Sequence, residues 1–216
     1  MISYWEQKTL LAYDTLIVGG GIVGLSTAIS LAERMPAMRI GILERGLLPT
    51  GASSRNAGFA CMGSPTELLA DLETSTEGEV QALFALRMLG LQKLRNRYGD
   101  PYLGYRANGS HLVLQAHEAD EVVPKLDYLN ALLMPIVGRP AFALGKKPPT
   151  TYGLAGNAHT LVECLLEGQL DTGTMLATMM RHAASLGILM HTGAEVLGYE
   201  KSHVGKEIVV QVGTYQ

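Results

Sequence analysis

DTLIVGGGIVGLSTAISLAERMPAMRIGILE, running from Asp14 to Glu44, is the stretch that decides the fold. Its opening run, Thr15-Leu16-Ile17-Val18, is β-branched and leucine-rich and reads as a buried strand. That strand delivers the chain directly into Gly19, Gly21 and Gly24, spaced G-x-G-x-x-G. Gly19 permits the tight turn, Gly21 lets the backbone approach a pyrophosphate, and Gly24 lets the following helix pack closely on the sheet. The amide N–H groups around Ile22 and Val23, with the positive end of the helix dipole, then face an anion.

Alone, the three glycines are weak, and the surrounding segment supplies the test. Leu25, Ala28, Ile29 and Ala32 continue one helical face, Pro36 marks the loop beyond it, and Arg39 to Leu43 reads as a second strand ending in Glu44. Glu44 lies twenty residues after Gly24, where an acidic side chain accepts hydrogen bonds from ribose hydroxyls and disfavours a 2′-phosphate. Replacing Glu44 is therefore expected to weaken nucleotide binding more than folding. Two plainer readings stand beside this one: a strand, turn and helix with no ligand, and a membrane span. Thr15 to Ala32 is uncharged and nearly long enough to cross a bilayer, but three central glycines cost about 1 kcal/mol each in a helix.

With 216 residues, 47% of them hydrophobic, the chain can bury a sizeable core. A net charge of −3 and the lack of any basic run argue against nucleic acid as a partner. Residues 1–13 carry no secretory pattern, so a cytoplasmic location is the default expectation. Cys61 and Cys164 form no C-x-x-C pair and read as buried thiols. The histidines (111, 117, 159, 182, 191 and 203) have no metal-ligand spacing, so no metal is expected.

After Glu44 comes a loop of small and polar residues, Arg45 to Gly58, suited either to lie along a polar cofactor or to serve as a surface connection. From Pro65 the pattern is helical, and Glu79 to Tyr98 places Val80, Leu83, Phe84, Leu91 and Leu94 as core positions. Tyr102–Tyr105 and His111–Gln115 read as strands of a hairpin about Asn108-Gly109. Asp120 to Leu133 reads as a helix whose start Pro124 restricts, and residues 138–157 as a mobile connection with Lys146 and Lys147 solvated. Asp171-Thr172-Gly173 caps a helix through Met175, Leu176, Met179 and Ala183, closed by Gly187. Ile188–Met190, Gly193–Tyr199 and Glu207–Val212 follow as strands.

Three blocks resemble FAD-dependent oxidoreductases of the D-amino-acid oxidase superfamily, the group containing glycine oxidase and γ-glutamylputrescine oxidase. They are SYWE (Ser3–Glu6) ahead of IVGGGIVGLSTAISLAE, the loop TGASSRNAGFA behind Glu44, and GQLDTGTMLATMMRHAASLGI followed by GAEV. The resemblance implies an α/β fold: a Rossmann-like, doubly wound, mainly parallel FAD-binding domain with an inserted mixed α/β substrate region. The expected division is 1–64 with 169–216 for an incomplete FAD-binding domain, and 65–168 for part of the substrate region. The implied cofactor is FAD, contacted by Gly19, Gly21, Ile22, Val23, Gly24, Glu44, Arg45, Ser53, Ser54, Asn56, Ala57 and Gly58, with Val196 binding the adenine edge through its backbone. Arg55 has two readings, a contact to substrate or flavin and a bond to local carbonyls; no catalytic acid or base is named.

The implied reaction is oxidation of the C–N bond of a small-molecule amine or amino acid by hydride transfer to the flavin. A nucleotide- or partner-binding remnant without turnover, and an NAD-dependent dehydrogenase, remain the alternatives. Family members carry a later segment that completes the pocket, so a fragment or truncated product is expected, one that is a poor enzyme and self-associates through an exposed sheet edge.

Overall fold

The computed structural model describes residues 3–202 and 208–214; Met1, Ile2, His203 and Glu207 lie outside them. In chain order the first elements are β1 (Thr15–Val18), α1 (Ile22–Arg34), β2 (Ile40–Glu44), β3 (Phe59–Ala60), α2 (Pro65–Thr74), α3 (Glu77–Tyr98), α4 (Asp100–Leu103) and β4 (Ser110–Leu114). They are followed by α5 (Ala116–Val122), α6 (Leu126–Val137), β5 (Phe142–Leu144), β6 (Thr160–Cys164), β7 (Gly168–Gln169), α7 (Thr172–Ser185), β8 (Leu189–Thr192), β9 (Ala194–Lys201) and β10 (Ile208–Thr214). Two compact units result, Met1–Ala57 with Thr172–Gln216, and Gly58–Asp171.

The first unit is built on a parallel sheet of order β1-β2-β8. Thr15 pairs with Ile40 through to Val18 with Leu43, and Gly41 with Leu189 through to Glu44 with Thr192. The middle strand β2 is buried along its whole length, as a parallel strand flanked on both sides should be. Leu25, Ala28, Ile29 and Ala32 of α1 are all buried, the face read from their spacing; α1 packs on α7, in which Met175, Leu176 and Met179 are buried. Gly187, at φ +77°, turns the chain out of α7 and into β8. The antiparallel pair β9–β10 follows, with a bulge at Gln211/Val212, and β9 contacts β2.

Leu16, whose Cδ2 would lie 2.8 Å from an added Cβ, and Tyr13 together account for the glycine at the second position of β2. A Cβ on Gly41 would lie 3.0 Å from the Tyr13 ring, which crosses the strand there so that its hydroxyl reaches His191 Nε2 at 2.5 Å and the Leu10 carbonyl at 2.7 Å. The phenol has one proton, and a carbonyl can only accept it, so His191 donates to the phenol from Nε2.

In the second unit an antiparallel sheet of order β4-β6-β5 packs with α2, α3 and α6 around Phe84, Leu114, Leu129, Leu133 and Val162. Buried Glu167 fastens it internally: one carboxylate oxygen accepts from the Met62 and Gly63 amides at 3.0 and 3.4 Å, the other from the Ser110 hydroxyl at 2.5 Å.

Several expectations fail in this unit. Tyr102–Tyr105 is no strand, because Pro101 opens the short helix α4 and Gly104, at φ +58°, closes it. No hairpin forms about Asn108-Gly109: Gly109 does turn, at φ +67°, but β4 pairs with the distant β6. The connection 138–157 contains β5, held by Asn130, whose side chain accepts from the Ala141 and Phe142 amides at 2.9 Å and donates to the Phe142 carbonyl at 3.0 Å. Pro124 splits the expected single helix into α5 and α6. Leu83 is exposed, whereas Val80 and Phe84 are buried. Cys61, expected inside, is exposed, while Cys164 is buried.

Candidate dinucleotide site

The glycines of the turn after β1 differ in what surrounds them. Gly19 sits at φ +97°, a left-handed conformation that disfavours side chains, and donates its N–H to the Leu43 carbonyl at 2.8 Å. A Cβ there would meet open space. At Gly24 a Cβ would overlap the Gly19 carbonyl oxygen, so this residue lets the first turn of α1 close onto the turn before it. The space above Gly21 is taken by Ser53, whose Oγ would lie 2.9 Å from an added Cβ. Gly20, the glycine that the G-x-G-x-x-G spacing leaves unnamed, lies under Met190 of β8, whose terminal methyl would overlap a Cβ.

Glu44 is 8% exposed, and both carboxylate oxygens hold backbone. Oε2 accepts from the Gly20 amide at 2.8 Å and Oε1 from the Gly46 amide at 2.9 Å. The Gly46 carbonyl in turn accepts from the Gly193 amide at 3.0 Å, which ties the turn between β8 and β9 to the loop behind Glu44. Sequence spacing located Glu44 but missed Gly20, Gly46 and Met190; the only sequence signal for Gly20 was the run of three consecutive glycines.

Ser53 brings the loop back to the helix, its Oγ accepting from the Ile22 amide at 3.0 Å. The Ile22 N–H is therefore capped by protein. Among the described residues, the amides of Gly21, Val23 and Gly24 donate to no protein group. The other loop side chains are used locally. Ser54 donates to the Pro49 carbonyl at 2.7 Å, and Asn56 donates to the Ala52 and Ser53 carbonyls at 2.9 and 3.2 Å. Arg45, Arg55 and Ala57 are exposed. Gly58 opens the second unit at φ +77°, against the Leu170 backbone. Val196 is half-buried on β9, three residues beyond Gly193.

This arrangement fits a dinucleotide. First-turn amides of a helix without acceptors, beside a glycine with open space over it, suit a pyrophosphate. Each Glu44 oxygen accepts one amide and has a further lone pair for a ribose hydroxyl.

A family model for FAD dependent oxidoreductases (DAO) matches residues 14–215. Over 212 residues the chain is 28% identical to glycine oxidase of Geobacillus kaustophilus (strain HTA426), covering 94% of this chain and 52% of that protein. The crystal structure of glycine oxidase from Geobacillus kaustophilus superimposes with a TM-score of 0.67 at 25% identity, covering 93% of this chain and 51% of that one. L-amino acid deaminase from Proteus myxofaciens, in complex with anthranilate, gives 0.62 at 25% identity, covering 88% and 40%. The chain thus spans about half the length of the curated relative it matches. Among the described residues no helix is long and apolar enough to cross a membrane.

Proposed function

The chain belongs to the DAO family of FAD dependent oxidoreductases, and from that premise we propose that its first unit holds FAD in the service of oxidising the C–N bond of an amine or amino acid. The family's cofactor displaces the nicotinamide alternative. The observation that carries the reading is the meeting of the acceptor-free amides of α1 with a buried carboxylate: Gly21, Val23 and Gly24 on one side, Glu44 on the other.

The amides of Gly21, Val23 and Gly24 would hold the pyrophosphate, aided by the helix dipole. Glu44 would take the ribose hydroxyls with its second lone pairs while continuing to fix Gly20 and Gly46. Ser53 serves indirectly, since its cap on Ile22 sets the angle at which the first turn meets a ligand. The exposed Arg45 and the backbone from Ser53 to Gly58 would run along the polar length of the cofactor, and the Val196 backbone would meet the adenine edge. Bound FAD supplies a two-electron acceptor for the substrate's α C–H. The glycine oxidase resemblance directs the substrate class to small amino acids and amines.

The test is the visible absorbance of the purified protein, followed by acid precipitation and anaerobic addition of glycine, sarcosine and D-amino acids. A yellow protein that releases free FAD on denaturation is expected. Bleaching by an amine supports turnover, whereas retained and unbleached flavin makes this a binding chain. Recovery of NAD, or of no nucleotide even after incubation with excess FAD, would overturn the assignment.

A further inference from the structure

Although the apolar residues of α3 lie on more than one side of the helix, only one side of it packs in the described structure. Val80 and Phe84 are buried, while Leu83, Leu86 and Leu89 are 41%, 66% and 61% exposed. At about 100° per residue, the exposed side is centred on Leu86, and its composition is arranged symmetrically about that residue. Three residues either side stand Leu83 and Leu89, and four either side the small residues Ala82 and Gly90. Seven either side stand Glu79 and Lys93, of opposite charge.

Sizes therefore mirror across Leu86, and charges invert. We propose that this face is the interface of a two-fold, antiparallel dimer of two copies of this chain. Turned end over end, Leu86 meets Leu86, Leu83 meets Leu89, and Ala82 lies opposite Gly90, where two small residues let the backbones approach. Glu79 meets Lys93 twice, once at each end. A second copy supplies that charge complementarity without any other partner being invoked. The side chains are available for it: a Cβ on Gly90 would meet open space, and Lys93 is exposed. Glu79 uses only Oε2 to cap the helix, accepting from the Thr76 amide and hydroxyl at 2.9 and 2.8 Å, which leaves Oε1 for the lysine. One helix pair covers less than the ~800 Å² per partner of a standard interface, so a micromolar dimer is expected. The dimer is independent of whether FAD binds.

Sedimentation equilibrium of the 216-residue chain across the micromolar range tests it. Leu86→Glu should raise the dimer dissociation constant about 30-fold or more while leaving the circular dichroism melt nearly unchanged, since the residue is 66% exposed in the described structure. Glu79→Lys and Lys93→Glu should each weaken association about tenfold by setting like charges together at both ends. The double variant E79K/K93E should restore it, a result that loss of the Thr76–Glu79 cap cannot produce. A wild-type chain that stays monomeric overturns the proposal. Association untouched by L86E does so too, placing the contact on another surface such as a sheet edge or a further protein segment, and so does failure of the double variant to recover.

Discussion

Replacing Glu44 by alanine should destabilise the fold itself before any question of cofactor arises. The carboxylate is 8% exposed and holds two amides, Gly20 at 2.8 Å and Gly46 at 2.9 Å. A buried N–H that loses its acceptor costs about 1–3 kcal/mol. Gly20 is buried and bears the larger share; Gly46 is half-buried, and water can partly replace the lost oxygen there. The sum is about 3 kcal/mol, which for a chain of this size lowers the melting temperature by about 6–12 °C. Glu44→Gln keeps one acceptor but turns an NH₂ toward the other amide, and an intermediate loss of about 1–2 kcal/mol is expected. The assay is urea denaturation followed by circular dichroism, on protein stripped of nucleotide so that lost ligand cannot mimic lost structure. The expected order is wild type, then E44Q, then E44A. An unchanged urea midpoint in E44A would refute the reasoning and return Glu44 to the purely ligand-facing role that spacing alone suggests. The ribose contribution is read separately, by titrating the folded apoprotein variants with FAD.

Gly24→Ala should cost about 3 kcal/mol, because its Cβ meets the Gly19 carbonyl in the backbone, whereas Gly20→Ala should cost less than about 1 kcal/mol, since it meets only the mobile end of Met190. Equal effects in thermal melts would contradict this. Cys164 should impose an alkaline limit on stability: burial foremost, and then the charge of Glu167, push its thiol up to about 12. An unfolded thiol ionises near about 8.5, so the unfolded chain holds fewer protons above that pH, and the contribution of Cys164, complete below it, is lost progressively as pH rises toward the folded value. Cys164→Ala should flatten the decline, and denaturation curves with the same alkaline slope in both proteins would rule this out.

What the sequence determined by itself was local. The glycine turn, the buried face of α1 and the acidic end of β2 were all legible, because each depends on spacing along one strand or one helix. Tertiary structure decided how those residues are used. Glu44 stands where the fingerprint puts it, yet Gly20 is buried beneath Met190, a residue from β8 that no nearby pattern announces. Ser53 was visible as a polar loop residue, but its cap on Ile22 exists only once the loop folds back. The pairing of β4 with β6, and the strand β5 clamped by Asn130, were illegible because short strands choose partners by packing with distant segments rather than by their own composition. In α3 the spacing found Val80 and Phe84 but also drew in Leu83, because leucines lie on more than one side of the helix. Only the packing of Val80 and Phe84 into the core left Leu83, Leu86 and Leu89 facing out.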